Sequence, residues 1–552
     1  MSSGHLSAKR AGHHPASALI RGVLIAASVF FLTLHFVHIR ADYPNHSPWS
    51  DWAKYTDEGW YGSAAVRYVQ LGHWYLPAEF NPGAALPVWP LMETVPFLLF
   101  GATMQVARYF TLCLFLLVCA ASWLLLYRWT SYDDGASHAE GPRSLAPELA
   151  VLFLAVSPFC FVYFRMAILE PAIIVWMLLS LLLASGVVSR SGQSVRWWIP
   201  LAIGALCPLM VFTKTTAISL VPAIAFLLWD RAGSTSKGRS VRGRVFGLWC
   251  LLALAGALLV IVPYYLTIAH LHLAADVHNY FAGAPDRVNR HNLGHFALAT
   301  LEDFRWIGVC FAPLCTVAAL LALPRLRRNP IIPTLLLWAA GYFAFICYHT
   351  NLQPRYYLVP AVALLLVAAY VLAIPFQRLG ASPSKSTRPL AFCTAVVLLV
   401  AVVTEAHETL QFAFHPQYTF LSAANSIHNI IAADQAQPHL LLSSSGSDIM
   451  LMTGTPAISD GVSILSIVPL VQRYNPGWLA VWGGGWEDGK LRDLQTGYRL
   501  HEVARFNVMD DPTRQPLILY RIDRREQAAI PLSSASMQAG RKPHSQPDAD
   551  RN

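Results

Sequence analysis

One apolar run after another, each close to the length that crosses a bilayer, leaves this chain few ways to fold. A hydrocarbon core takes about 20 helical residues to span. Runs of that kind lie near residues 19 to 39, 104 to 127, 146 to 164, 167 to 187, 197 to 212 and 215 to 229, then near 246 to 269, 307 to 323, 331 to 348, 356 to 375 and 389 to 404. Inside the bilayer every backbone polar group must bond within its own segment, so such runs are helices. The bulk composition agrees, with 55% hydrophobic and 13% charged residues in 552. The expected fold class is a polytopic α-helical membrane protein of about 11 transmembrane helices, at about 20 residues each, carrying a small C-terminal α/β soluble domain.

Basic residues assign the sides. Arg128 and Arg143, Arg190 and Arg196, the run from Arg231 to Arg244, then Arg325, Arg327 and Arg328, and finally Arg378, Lys385 and Arg388 fall in alternate connections. By the positive-inside rule these mark the cytoplasmic face. The N-terminal segment 1–18 is then cytoplasmic, and the loops 40–103 and 270–306 and everything after 405 lie outside. The net charge of +9 is explained by this topology rather than by nucleic acid. The first run follows Lys9, Arg10 and Arg21 but has no small-residue cleavage pattern after it, so it reads as a retained span. All nine cysteines lie inside apolar runs, with no CxxC pair, and read as small core residues.

Beyond Glu405 the composition becomes ordinary. The segments "HLLLSSSGSD", "GWLAVWGGGWEDG", "RLHEVARFNV" and "PLILYRI" alternate with Gly, Pro and Asn turns, the mark of a small α/β domain over 405–530. The polar tail 531–552 lacks the apolar content to fold. Residues 19–404 form the membrane domain.

Ionisable residues stand out in such a chain because they cost free energy near a bilayer. The stretch from Leu145 to Val188 is too long for one span and folds back near Pro171, with Arg165 and Glu170 at the turn. The next pair of short spans turns at Lys214, and a later one at "CYHTNLQPRYYLVP", with Arg355, Tyr356 and Tyr357. All three turns are expected outside, where cations are disfavoured. Snorkelling accounts for any one of them; a shared anionic ligand, with lipid phosphate the nearest candidate, accounts for all three.

The first outer loop supplies the acids. After Thr56, a residue suited to an N-cap, Trp60, Tyr61, Ala64, Ala65, Tyr68 and Val69 recur at helical spacing. This predicts a helix in the membrane interface with Asp57 and Glu58 in its first turn. The helix dipole alone favours acids there. Their place at a lipid surface, facing the same side as the cations, points further, to the acidic half of a transfer site.

With these residues in hand, "TDEGWYGSAAVRYVQLGHW", "FRMAILEPAIIVW", "TKTTAIS" and "PRYYLVPAVALLLV" together resemble the lipid-phosphosugar-dependent glycosyltransferases of the C-type fold. Nearest among these are the dolichyl-phosphate-mannose protein mannosyltransferase and aminoarabinose transferase group and its bacterial relatives. The likeness runs over most of residues 20 to 375. It departs from the family after the first-loop helix, where a Lys-Pro-Pro stretch is replaced by "FNPGAALPVWP", which moves phosphate binding onto Lys214 or Arg165.

The resemblance implies an enzyme of the cell inner membrane that takes a sugar, hexosyl or pentosyl, from a polyprenyl-phosphate donor and passes it to a hydroxyl on the outer face, with inversion. The acceptor is a glycolipid, a polysaccharide or a protein. It implies Asp57 as general base, with Glu58 or Glu170 orienting the acceptor, stabilising positive charge or holding a divalent cation. Arg165, Lys214 and Arg355 then steady the leaving phosphate, and Tyr61, Tyr356 and Arg287 contact the substrates. His278, His291 and His295 are ligand types for a divalent metal alongside Glu170, but their spacing matches no ligand pattern and solvated histidines are the simpler reading. Two other readings of the same charges are a secondary transporter and a lipid-linked glycan polymerase or ligase.

Overall fold

The structure is a computed structural model. It describes residues 15–45, 47–74, 82–133, 144–188, 195–234, 239–269, 274, 276–278, 304–327, 329–348, 353–381, 384–461, 465–483, 487–509 and 516–524. Arg287, His291, His295 and the tail 531–552 lie outside the described residues.

Each of the eleven apolar runs coincides with helix. The first is α1 (Pro15–Leu34), after which the loop 40–103 carries a 3-10 turn (Trp52–Lys54), α2 (Asp57–Leu71), α3 (Pro82–Ala85) and α4 (Val88–Phe100). Then follow α5 (Met104–Asp133), α6 (Ala146–Val156), α7 (Pro158–Tyr163), α8 (Glu170–Ser185), α9 (Trp198–Thr213), α10 (Val221–Ser234) and α11 (Arg239–Tyr264). The bundle ends with α12 (Phe311–Ala322), α13 (Ile331–Tyr348), α14 (Leu358–Ala381) and α15 (Thr387–Phe414). Five helical stretches among the described residues are long and apolar enough to cross a membrane, and the other apolar helices are shorter.

One run breaks. Residues 146 to 164 read as a single span but form α6 and α7, because Pro158 holds Ser157 extended, at φ −64° and ψ 122°. The Ser157 hydroxyl then caps α7 by accepting from the Cys160 N–H at 3.3 Å. The loop 40–103 also holds an apolar helix not counted among the runs. At about 1.5 Å per residue α4 is only about 20 Å long, and Leu91, Val95, Leu98, Leu99 and Phe100 stay exposed along it.

The bundle is organised around α14, whose residues from Leu358 to Ala373 are buried almost throughout against α6, α12 and α13. The helix α9 lies along α11 so closely that a Cβ at Gly204 would sit 1.9 Å from the Ala253 carbonyl oxygen, and one at Gly256 2.0 Å from that of Leu201. Small residues of this kind let helix backbones touch in a membrane.

After α15, helix α16 (Thr419–Ala433) leads into β1 (Leu441–Ser443), α17 (Gly446–Thr453), β2 (Ala457–Ser459), α18 (Ile467–Tyr474), β3 (Trp478–Trp482), α19 (Asp488–Gln495), β4 (Tyr498–Phe506) and β5 (Leu517–Arg524). The five strands form one mixed sheet in the order β2-β1-β3-β5-β4. The first three are parallel, with Leu442 opposite both Ile458 and Leu479, and β5 runs antiparallel to β3 and β4. All five residues of β3 are buried, as expected of a central strand covered on both faces.

Candidate active site

The α2 helix begins at Asp57 and stops at Gly72, which takes the left-handed φ of 78° that glycine adopts most easily. Its first turn is buried, Asp57 being 7% exposed and Glu58 3%. The two neighbouring carboxylates point to different partners, and that divides the site.

Asp57 faces Arg355. Its Oδ2 lies 2.8 Å from Arg355 Nη2, and its Oδ1 accepts from the Thr56 hydroxyl at 2.8 Å. Thr56 is thus turned onto Asp57 and makes no side-chain cap of the helix, contrary to the expectation from its position. Burial raises the Asp57 pKa above the usual aspartate value; Arg355 opposes that and Asp51 adds to it.

Arg355 itself sits in a 3-10 turn (Pro354–Tyr357) that opens α14. Its Nη1 pairs with Asp51 Oδ1, and its backbone N–H donates to Asp51 Oδ2 at 2.9 Å. Asp51 Oδ1 also accepts from the Ala53 N–H at 2.8 Å, so this fully buried carboxylate ties the first loop to the turn that opens α14. Lys214 stands at the end of α9, where its Nζ pairs with Glu170 Oε1 and lies 3.9 Å from the centre of the Tyr356 ring. Asp57, Glu170 and Arg355 are all within electrostatic reach of Lys214. Glu170 occupies the first position of α8, with Pro171 next to it as the dipole and proline rules favour. Its Oε2 is buried without a hydrogen-bond partner among the described residues.

Tyr61, one helical turn after Asp57, is near Asp57, Arg355, Tyr356 and Glu170, and burial pushes its phenol well above the usual range. The structure therefore gathers Asp57, Tyr61, Glu170, Lys214, Arg355 and Tyr356 into one cluster with Asp51.

Glu58 and Arg165 stand apart from it. Arg108 of α5 grips Glu58 with Nε to Oε1 at 2.8 Å and Nη2 to Oε2 at 2.5 Å, a bidentate pair. The Ala167 N–H adds a bond to Oε1 at 2.9 Å. Arg165 spends its Nη2 on the carbonyls of Val37 and His38, both at 2.7 Å, and stacks on Phe161. It lines a small cavity of about 30 Å³ with Asp42, Arg108 and His415, away from Lys214. Among the described residues no group of three or more His, Cys, Asp or Glu is arranged to hold a metal ion.

Against known proteins, no family model matches the sequence and no curated protein matches it. Solved structures do. ArnT from Cupriavidus metallidurans bound to undecaprenyl phosphate superposes with a TM-score of 0.59 at 15% identity, over 92% of this chain and 98% of that one. Its apo state gives 0.56 at 16%, over 91% and 98%. The apo oligosaccharyltransferase of Archaeoglobus fulgidus gives 0.51 at 12%, over 91% of this chain and 76% of that one. The fold is the C-type glycosyltransferase fold.

The residues that sequence reasoning passed over are those that hold others. Asp51 lies six positions before Asp57, in "SPWSDWAKYTDE", where an acid reads as solvated loop. Arg108 carried a readable signal, a charge near the start of the apolar run 104 to 127, and intramembrane charges are exceptional enough to single out.

Proposed function

We propose that the chain is an integral-membrane glycosyltransferase that moves a sugar from a polyprenyl-phosphate donor to an acceptor hydroxyl at the outer face of the membrane. The observation that carries this is the buried Asp57 carboxylate held 2.8 Å from Arg355 beside the Lys214–Glu170 pair. A base and two cations at one point suit a reaction that removes a proton from one oxygen and leaves negative charge on another.

The acceptor oxygen forms a bond to the anomeric carbon as the bond from that carbon to the phosphate oxygen breaks. The acceptor proton passes to Asp57, and the electron pair leaves on phosphate. Lys214 serves as a point charge and Arg355 as a two-pronged grip on the phosphate. Arg355 is the opposing charge that restrains the raised Asp57 pKa. When it turns to phosphate, Asp57 becomes a stronger base as the donor arrives. Attack from the face opposite the phosphate inverts the anomeric centre.

Glu58 has both oxygens committed to Arg108 and Ala167, so its part is to fix the helix. Glu170, with its unpartnered Oε2, is suited to orienting the acceptor or stabilising the oxocarbenium-like charge. Tyr61 and Tyr356 line the sugar side, and Arg287 is retained as a further phosphate contact. Undecaprenyl phosphate in the ArnT structure supports this donor class. A transporter would place its charges near the middle of the spans, whereas here they gather at helix ends. The acceptor class is a glycolipid, polysaccharide or protein of the cell envelope, reached from the inner membrane.

The test is transfer from radiolabelled undecaprenyl-phosphate sugars, with native membranes as acceptor. Asp57→Asn retains fold and donor binding but loses about 10²–10⁴-fold in rate, the usual worth of a positioned base. Full activity in that variant removes Asp57 from the role. Uptake of a small solute into vesicles with no glycosylated product replaces the enzyme with a transporter.

A further inference from the structure

A helix begins with unpaired N–H groups, which a side chain at the N-cap ordinarily satisfies. In α2 that does not happen locally, since the Thr56 hydroxyl donates to Asp57 instead. The N–H of Gly59, the third residue of the helix, donates to Asp448 Oδ1 at 2.6 Å. Asp448 belongs to α17 of the C-terminal sheet unit, 389 residues further along the chain, and is 1% exposed.

The contact is built for close approach. A Cβ on Gly59 would lie 2.2 Å from the backbone carbon and oxygen of Ser447, so only glycine lets the two helices meet. Beside it the Tyr55 and Trp482 rings pack edge to face at 4.8 Å, and Trp482 Nε1 donates to the Ser445 hydroxyl at 2.8 Å just before α17 begins. The first loop returns the same favour: Asp42 accepts from the N–H groups of Phe420 at 2.7 Å and Leu421 at 3.2 Å, in the first turn of α16. Each unit thus supplies the carboxylate that caps a helix of the other.

The α2 first turn is gripped on two sides, by Arg108 through Glu58 and by Asp448 through Gly59, and Asp57 is the residue between those grips and Arg355. We propose that Asp448 is a positioning residue for sugar transfer: the C-terminal unit caps the α2 helix in trans and so sets where the Asp57 carboxylate stands. This rests on Asp57 being the base.

Two variants and one control test it in the full-length protein. Asp448→Ala removes the acceptor, and Asp448→Asn keeps an oxygen for the Gly59 N–H. Asp42→Ala removes the reciprocal cap and leaves the Gly59 bond in place. With undecaprenyl-phosphate sugars as donor and native membranes as acceptor, Asp448→Ala is expected to lower kcat at least about tenfold with donor KM unchanged. A shift of about 1 Å in a catalytic group costs on the order of a hundredfold. Asp448→Asn restores kcat to near wild type, and Asp42→Ala lowers thermal stability with kcat kept.

Hydrogen exchange supplies a readout independent of catalysis: the α2 N-terminal peptide exchanges faster in Asp448→Ala than in wild type or Asp448→Asn. Should Asp448→Ala fail to fold, the same comparison is made with Asp448→Ser, whose shorter side chain leaves the Gly59 N–H unbonded. Unchanged exchange or unchanged kcat in the alanine variant, or equal losses in Asp42→Ala and Asp448→Ala, overturns the proposal. Failure of the base assignment looks different: Asp57→Asn is then active while the exchange pattern stands.

Discussion

At the scale of single residues the site is a balance of buried charge. Asp51, Asp57 and Glu170 face Lys214 and Arg355, and each carboxylate alters its neighbours. Asp57 titrates above the ordinary aspartate value because it is buried, with Asp51 adding to the shift. With the charged form of Asp57 as the proposed base, transfer is expected to fall as pH drops through this raised pKa. The acid limb of the kcat profile therefore lies above the range of a solvated aspartate.

Asp51→Asn keeps the shape of the side chain and removes one negative charge near Asp57. A like charge raises a carboxyl pKa, so its loss moves the acid limb to lower pH. A kcat-pH profile of the variant that does not move would separate Asp51 from Asp57. The sequence made Glu170, Lys214 and Arg355 visible as ionisable groups beside apolar runs, and Asp57 as an acid in the first turn of a helix with a periodic aromatic face. Asp51 and Asp448 lie in segments where acids are ordinary, and only the third dimension shows what they hold. Arg165 illustrates the converse: its position at an outer turn is that of Lys214, but its side chain bonds to the carbonyls of Val37 and His38.

At the scale of elements, hydropathy reaches far because the bilayer permits so little else. Every apolar run is largely helical, and the four segments beyond Glu405 set between Gly, Pro and Asn turns overlap β1, β3, β4 and β5. What escaped was short or local: the three residues of β2, and the break at Ser157 and Pro158, where proline overrides apolar continuity. Helix pairing was not legible either, because lipid-facing and helix-facing residues are equally apolar.

The α9–α11 contact shows how pairing reaches the chemistry. Lys214 is the residue on which α9 ends, and the backbone contact at Gly204 and Gly256 fixes the helix along its length. Gly256→Leu forces the pair apart. Overpacking of this kind costs about 1–3 kcal/mol, so the midpoint of thermal unfolding in detergent falls. Donor binding weakens with it as Lys214 is displaced. Wild-type donor affinity in a destabilised Gly256→Leu protein would uncouple α9 placement from the phosphate site.

At the scale of the whole molecule, the loop that carries Asp57 and the C-terminal sheet unit are joined through Asp42, Asp448 and the Tyr55–Trp482 contact. The helix α11 gives the direction. Its last residue, Tyr264, donates its hydroxyl to the Ala84 carbonyl of the first loop at 2.7 Å. Its start at Arg239 then stands about 38 Å away, with Arg242 at about 33 Å and Arg244 at about 30 Å, at 1.5 Å per residue, so these residues lie at or beyond the far side of a hydrocarbon core about 30 Å thick.

Basic residues favour the cytoplasmic side, which predicts the α11 start inside and the cluster outside. Cysteines introduced at Arg244 and Glu502 test this with a membrane-impermeant maleimide, since the native cysteines all lie in apolar runs. Glu502→Cys is expected to label in intact cells, and Arg244→Cys only after the membrane is opened. The reverse pattern would turn the site toward the cytoplasm. The sugar would then be delivered on the side where donors are made, and a lipid carrier, whose use is to take a sugar across the bilayer, would have no part to play.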